Sequence, residues 1–102
     1  MAQKKLRKVR QRAMMLRVCL SFDDGEAFSV PQYNEKWISL MGSRWYPGNR
    51  AIGSLLRLFG YKSDNGFFTT DWSREKLLQK KREYEDAASK GFYDWHEGRK
   101  GQ

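Results

Sequence analysis

Asn65-Gly66 sits between Tyr61-Lys62-Ser63-Asp64 and Phe67-Phe68-Thr69-Thr70, and no other stretch constrains the fold as strongly. Asn and Gly together tolerate the two consecutive left-handed residues of a type I′ turn. The twist of that turn matches a pair of antiparallel strands. A two-stranded hairpin over residues 61–70 is therefore expected.

Helical patterning flanks it. Asn34 can cap a helix, Glu35 suits the first turn, and Trp37, Ile38 and Met41 form an apolar stripe. Gly42 and Ser43 weaken this helix, and Trp45-Tyr46-Pro47-Gly48 breaks it. A second helix is expected from Asn49, with Ile52, Leu55, Leu56 and Phe59 inward and Gly60 at its end. Its opposite face carries Arg50, Ser54 and Arg57, at offsets of four and then three, along one exposed stripe. Ser73 opens a last long helix with Glu75 in its first turn, ending at Lys90 and Gly91. Its modest apolar side is Leu77, Leu78, Tyr84, Ala87 and Ala88, and Arg82–Asp86, Lys81–Glu85 and Asp86–Lys90 pair on the other side. Phe92, Tyr93 and Trp95 are expected to fold back on the core.

The N-terminal region supports two patterns. Leu6, Val9, Ala13, Leu16 and Leu20 recur at helical spacing, consistent with one basic amphipathic helix. Leu16, Val18, Leu20 and Phe22 also alternate with Met15, Arg17, Cys19 and Ser21, the period of a half-buried strand. Asp23-Asp24-Gly25-Glu26 supplies turn chemistry, and Phe28 and Val30 resume the alternation before Pro31. A hairpin across residues 15–30 is favoured because the turn explains both flanks.

The resulting expectation is an α+β fold. It is a small single domain with an N-terminal β-hairpin, a helix-turn-helix, an Asn-Gly hairpin and a C-terminal helix. Residues 1–13 form a basic flexible arm, 14–97 the globular body and 98–102 a frayed tail. The order helix, tight turn, helix, hairpin over roughly residues 34–72 resembles a winged helix in outline, without any family motif. The resemblance implies that the second helix enters a major groove while the hairpin, as wing, touches the backbone or minor groove. The expected core is Leu16, Val18, Leu20, Phe22, Trp37, Ile38, Ile52, Leu55, Leu56, Phe59 and Leu77.

At 102 residues the chain has room for one core. Aromatics are 15% of it, more than a disordered chain carries. The net charge of +8 is unevenly spread: Met1 to Phe22 holds seven bases and no acid, leaving thirteen bases against twelve acids beyond. Such a segment attracts phosphates by releasing condensed counterions, although a solubilising role is the plain alternative. A single cysteine, Cys19, fits a reducing compartment such as the cytoplasm. No apolar run is long enough to span a bilayer, and Arg17 interrupts any secretory signal. An acid-free, Arg-rich start imitates a mitochondrial transit peptide, though it is poor in serine.

Nucleic acid, DNA or RNA, is accordingly the expected partner. Lys4, Lys5, Arg7, Lys8, Arg10 and Arg12 on the arm, with Arg44, Arg50, Ser54, Arg57 and Lys62 on the body, are the expected contacts to phosphates or base edges. Trp45, Tyr46 and Tyr61 lie near turns beside cations and are candidates for base stacking or for a protein hot spot. The rival reading is a small adaptor or inhibitor docking on a larger protein or nucleoprotein. Catalysis is not expected. Cys19 and His96 would have to bring the chain ends together without a third orienting group, and Asp94, His96 and Glu97 make a poor metal site. Glu83, Glu85 and Asp86 are explained by solvent pairing along a helix, and no phosphate-binding loop or dinucleotide fingerprint is present. No cofactor or metal is implied.

Overall fold

Ser29 decides where the first half of the domain turns. Its hydroxyl accepts from the Gln32 N–H at 3.3 Å, while the Gln32 side chain accepts from the Ser29 N–H at 2.8 Å. This reciprocal capping box starts a helix at Val30, with Pro31 in the first turn where its missing N–H costs nothing. The computed structural model describes the backbone of residues 2–99 and the side chains of residues 7–89. In chain order the elements are α1 (Ala2–Ser21), β1 (Phe28–Ser29), α2 (Val30–Met41) and α3 (Asn49–Leu56). A 3₁₀ turn (Arg57–Phe59), β2 (Tyr61–Asp64), β3 (Phe67–Thr70) and α4 (Arg74–Arg99) follow. The protein is thus α+β, with four α-helices and one antiparallel sheet among the described residues. None of those helices is long and apolar enough to cross a membrane.

The Asn-Gly hairpin forms as expected. Asn65 and Gly66 have φ of 53° and 85°, and Tyr61 to Asp64 pair with Thr70 to Phe67. The third strand comes from elsewhere. Phe28 pairs with Phe68 and Ser29 with Phe67, so the sheet order is β1-β3-β2.

The N-terminal hairpin is not present. Residues 15–21 are helical, and 28–29 pair with β3 rather than with them. The alternation puts Met15 and Cys19 on the outward side, yet both are buried. Val9, Met15, Leu16, Val18, Cys19 and Phe22 are all buried along α1 or just past its end, a helical rather than an alternating pattern. Residues 2–13, expected within a flexible arm, are the first part of the same helix. α4 packs chiefly on α1. It starts at the Ser73 cap, whose hydroxyl accepts from the Lys76 N–H at 3.1 Å. It continues through Lys90 and Gly91 to Arg99 instead of stopping there. The side chains of Lys90, Phe92, Tyr93 and Trp95, and with them the expected Asp86–Lys90 pair and core contacts, lie outside the described residues, as do residues 100–102. Lys81 pairs with Glu85 at 2.7 Å as expected, and Lys80 with Glu83 at 3.3 Å.

The core centres on Trp37, Tyr33, Phe28, Phe59, Met15, Leu16, Ile52, Leu56 and Val18, each under 2% exposed. Phe22 and Leu77 are also buried, while Leu20 and Leu55 are half-buried against this cluster. Ile38 is a correction, being 51% exposed. With the cap at Ser29 rather than Asn34, Tyr33 joins the helix and forms the buried face with Trp37 four residues on, and Ile38, about 100° round the helix from Trp37, is left outside. Gly60 closes the 3₁₀ turn with φ 78°. A Cβ built there would stand 2.5 Å from the Trp72 ring and 2.9 Å from the Thr70 hydroxyl.

This packing separates buried from exposed apolar positions. Leu56→Ala should lower unfolding free energy by about 2–5 kcal/mol, whereas Ile38→Ala should change it by no more than about 0.5 kcal/mol. Denaturant titration at fixed pH measures both, and equal effects would contradict the assignment. Gly60→Ala should cost at least about 1–3 kcal/mol from backbone strain alone, with the Trp72 clash added. A thermal melt indistinguishable from wild type would show that the turn relaxes without penalty.

Candidate nucleic-acid interface

α3 buries Ile52 and Leu56 and leaves Arg50 and Ser54 exposed on its other side. Arg57 follows in the 3₁₀ turn and is also exposed, so the stripe survives the change of helix type. No ion pair engages Arg50 or Arg57 among the described residues. The sharp stop at Gly60 swings the chain straight into β2. As a result Arg57, Gly60, Tyr61, Lys62 and Ser63 wall one open depression of about 420 Å³. The end of the stripe and the first strand of the hairpin therefore share a surface. Lys62 lies 4.0 Å from Asp71, but both side chains are more than four-fifths exposed. Such a pair contributes little and leaves the lysine available.

A second concavity, of about 610 Å³, is lined by Arg7, Gln11, Arg44, Trp45, Tyr46 and Pro47. Trp45 has φ 66°, a left-handed conformation that costs a bulky residue of order 1–3 kcal/mol. Contacts from two helices hold it there. The Gln11 amide of α1 donates to the Trp45 carbonyl at 2.7 Å, and the Trp37 indole of α2 donates to the Arg44 carbonyl at 2.9 Å. The Arg7 guanidinium lies 5.3 Å from the centre of the Trp45 ring. Tyr46 packs edge-on against Trp37 with ring centres 5.4 Å apart, and its hydroxyl donates to the Asn49 side chain. Both Trp45 and Tyr46 are half-buried.

On α1, Arg7, Lys8, Arg10 and Arg17 are exposed and Arg12 is half-buried. Arg10 and Arg17 are seven residues apart, so they share a face about 10 Å along the helix. The side chains of Lys4 and Lys5 lie outside the described residues, although their backbone belongs to α1. The bases are thus strung along a packed helix, with spacing set by its geometry.

Tyr61 does not belong to this set. It is 5% exposed, packed 5.3 Å from Phe28, and cannot stack on an incoming base. Phe67 is the hairpin ring left outside, at 47% exposure. Alternation of side chains along β3 sends Phe68 inward and its neighbour out. The roles of Gln11 and of the positive φ at Trp45 are not legible in the sequence, because nothing local links a helix glutamine to a carbonyl 34 residues away.

Cys19 is 3% exposed, with its sulfur 3.8 Å from the Tyr33 hydroxyl. The Tyr33 proton is already given to the Met15 carbonyl at 2.7 Å, so the thiol donates to the tyrosine oxygen. Burial pushes the thiol up to about 12, against the weaker opposing effect of the neighbouring Tyr61 and Tyr33 hydroxyls. Burial likewise raises Tyr33 and Tyr61. The side chains of Asp94, His96 and Glu97 lie outside the described residues.

At pH 8 the native thiol should react with a disulfide reagent on the order of a thousandfold more slowly than a free thiol, and at the ordinary rate in denaturant. A raised acid stays protonated in the folded chain while the unfolded chain ionises. The contribution of this group to stability is therefore fully present below about pH 9 and is lost between about pH 9 and 12, by up to about 1.4 kcal/mol per pH unit. Fast native labelling would contradict the burial of Cys19.

No family model, curated protein or solved structure matches the chain.

Proposed function

We propose that the protein binds duplex DNA as a winged helix. The observation that carries this is the continuity of the Arg50–Ser54–Arg57 stripe with Lys62 of the hairpin across a shared depression. The arrangement supports the reading as well. α2 and α3 are joined by residues 42–48, the hairpin follows α3 after one 3₁₀ turn, and β1 closes the sheet in the order β1-β3-β2. In this reading α3 enters the major groove and Lys62 contacts backbone phosphate beside it. A groove-entering helix suits B-form DNA, since the major groove of an RNA duplex is too deep and narrow for side chains to read.

The exposed bases of α1 add sequence-independent affinity. Lys8, Arg10 and Arg17 present positive charge on a helix that contains no acid anywhere along its length. Each phosphate neutralised adds about 0.9 to the slope of log affinity against log salt. A forked guanidinium at position 50 or 57 meets a guanine edge or a phosphate equally well.

The test is an electrophoretic shift series with blunt duplex DNA at two salt concentrations. Arg50→Ala with Arg57→Ala should weaken binding, reduce the salt slope by up to about two if both contact phosphate, and leave the melting temperature nearly unchanged. A base-edge contact would instead relax preference at one position by about 1–3 kcal/mol per bidentate pair. Wild-type affinity in the double variant would exclude α3 as the reading element, and a body that binds no nucleic acid would be a docking domain for another protein.

A further inference from the structure

The concavity beside Trp45 is unused by the duplex reading and differs from the α3 surface in kind. Its walls combine two aromatic rings with two guanidinium groups, and among the described residues no carboxylate lines it. We infer that it is a site for an unpaired nucleotide of a single-stranded segment, with the base against Trp45 or Tyr46 and its phosphate between Arg7 and Arg44. The inference rests on the nucleic-acid reading above but on different residues.

The observations point to a nucleotide over other occupants. An aromatic wall alone suits any flat apolar group, and cations alone suit any anion. A nucleotide has a stackable face and a negative charge close together, and this groove offers a partner for both. Arg7 and Arg44 disfavour a cationic ligand. The rings are held before any ligand arrives. Gln11 at 2.7 Å fixes the Trp45 backbone, and Tyr46 is set by Trp37 on one side and Asn49 on the other. A strained, left-handed tryptophan fixed by side chains of two separate helices is a costly arrangement for a ring with only a packing role. Preorganised rings keep the ordering cost of binding low.

The arrangement also defines a clean variant. Glycine adopts φ 66° freely, so Trp45→Gly removes the ring without forcing the turn into a new conformation. Arg44→Gln removes a charge from an exposed side chain whose backbone carbonyl alone serves the fold.

The full-length protein is titrated with a short oligothymidylate and, separately, with a blunt-ended duplex. The indole N–H resonances are followed by NMR and affinities by fluorescence anisotropy. Oligothymidylate should shift the Trp45 indole resonance, and Trp45→Gly should lower its affinity roughly tenfold while duplex affinity is unchanged. Arg44→Gln should weaken oligothymidylate binding and reduce its salt slope by about one. If Trp45→Gly does not fold, the wild-type indole response and the Arg44→Gln affinity still decide the matter. An unmoved Trp45 resonance at saturating oligothymidylate overturns the inference and leaves the groove to a protein partner. Equal losses for duplex and single strand in Trp45→Gly also overturn it. Failure here with duplex binding intact removes the groove alone, whereas a wild-type protein that binds neither probe removes the nucleic-acid reading itself.

Discussion

The ring of Phe28 joins the parts of this domain. It stacks on Phe22 at 4.4 Å and 18°, and lies 5.3 Å from Tyr33, 5.3 Å from Tyr61 and 6.3 Å from Phe68. Those partners come from the end of α1, from α2, from β2 and from β3. A two-residue strand would be a poor structural element alone. Its value is that Phe28 anchors the hairpin to the helices, with each ring pair adding about 0.5–1.5 kcal/mol beyond the area buried. Ser29, next in the chain, turns directly into the cap of α2. The hairpin and the α2–α3 pair are oriented by the same two residues.

The charge distribution depends on this packing as well. α1 carries no base in its last turn, yet its C-terminal carbonyls need donors. Arg74, in the first turn of α4, donates to the carbonyls of Phe22 (3.0 Å) and Leu20. A cation there complements the negative end of the α1 dipole. It also ties the start of α4 to the end of α1, so the two long helices run antiparallel. The solvent face of α1 then displays its bases in a fixed spacing.

Backbone strain is concentrated at the break between α2 and α3. α2 ends at Met41 with Gly42 as its cap (φ 69°), and Trp45-Tyr46-Pro47 then lead to Gly48, where φ 97° lets α3 begin. The same residues form the walls of a groove. A turn that only had to reverse the chain could use a glycine at position 45. A tryptophan in that conformation presents an aromatic face on a rigid mount.

Much of the fold and of the α3 stripe is legible from local pattern. Asn65-Gly66 specifies the hairpin, the apolar spacing of Ile52, Leu56 and Phe59 specifies the inward side of α3, and Arg50, Ser54 and Arg57 fall opposite. These succeed because a turn type and a helix face are properties of a few adjacent residues. The N-terminal region fails for the converse reason. Residues 15–22 fit two periods, and the choice between them is made by long-range packing, with α4 along α1 and Tyr33 of α2 against Cys19 and the Met15 carbonyl. Ser29 and Gln32 have the residue types of a capping box, but the apparent strand running to Pro31 hides it. The burial of Tyr61 and the groove at Trp45 are not readable at all. The sequence by itself determined the helix-turn-helix, the hairpin and the basic, acid-free N-terminal segment, because each is encoded in local spacing and turn chemistry. Only the tertiary structure decided that the segment is a packed helix, that β1 joins the hairpin and that Arg7 meets Trp45, because those contacts join residues far apart in the chain.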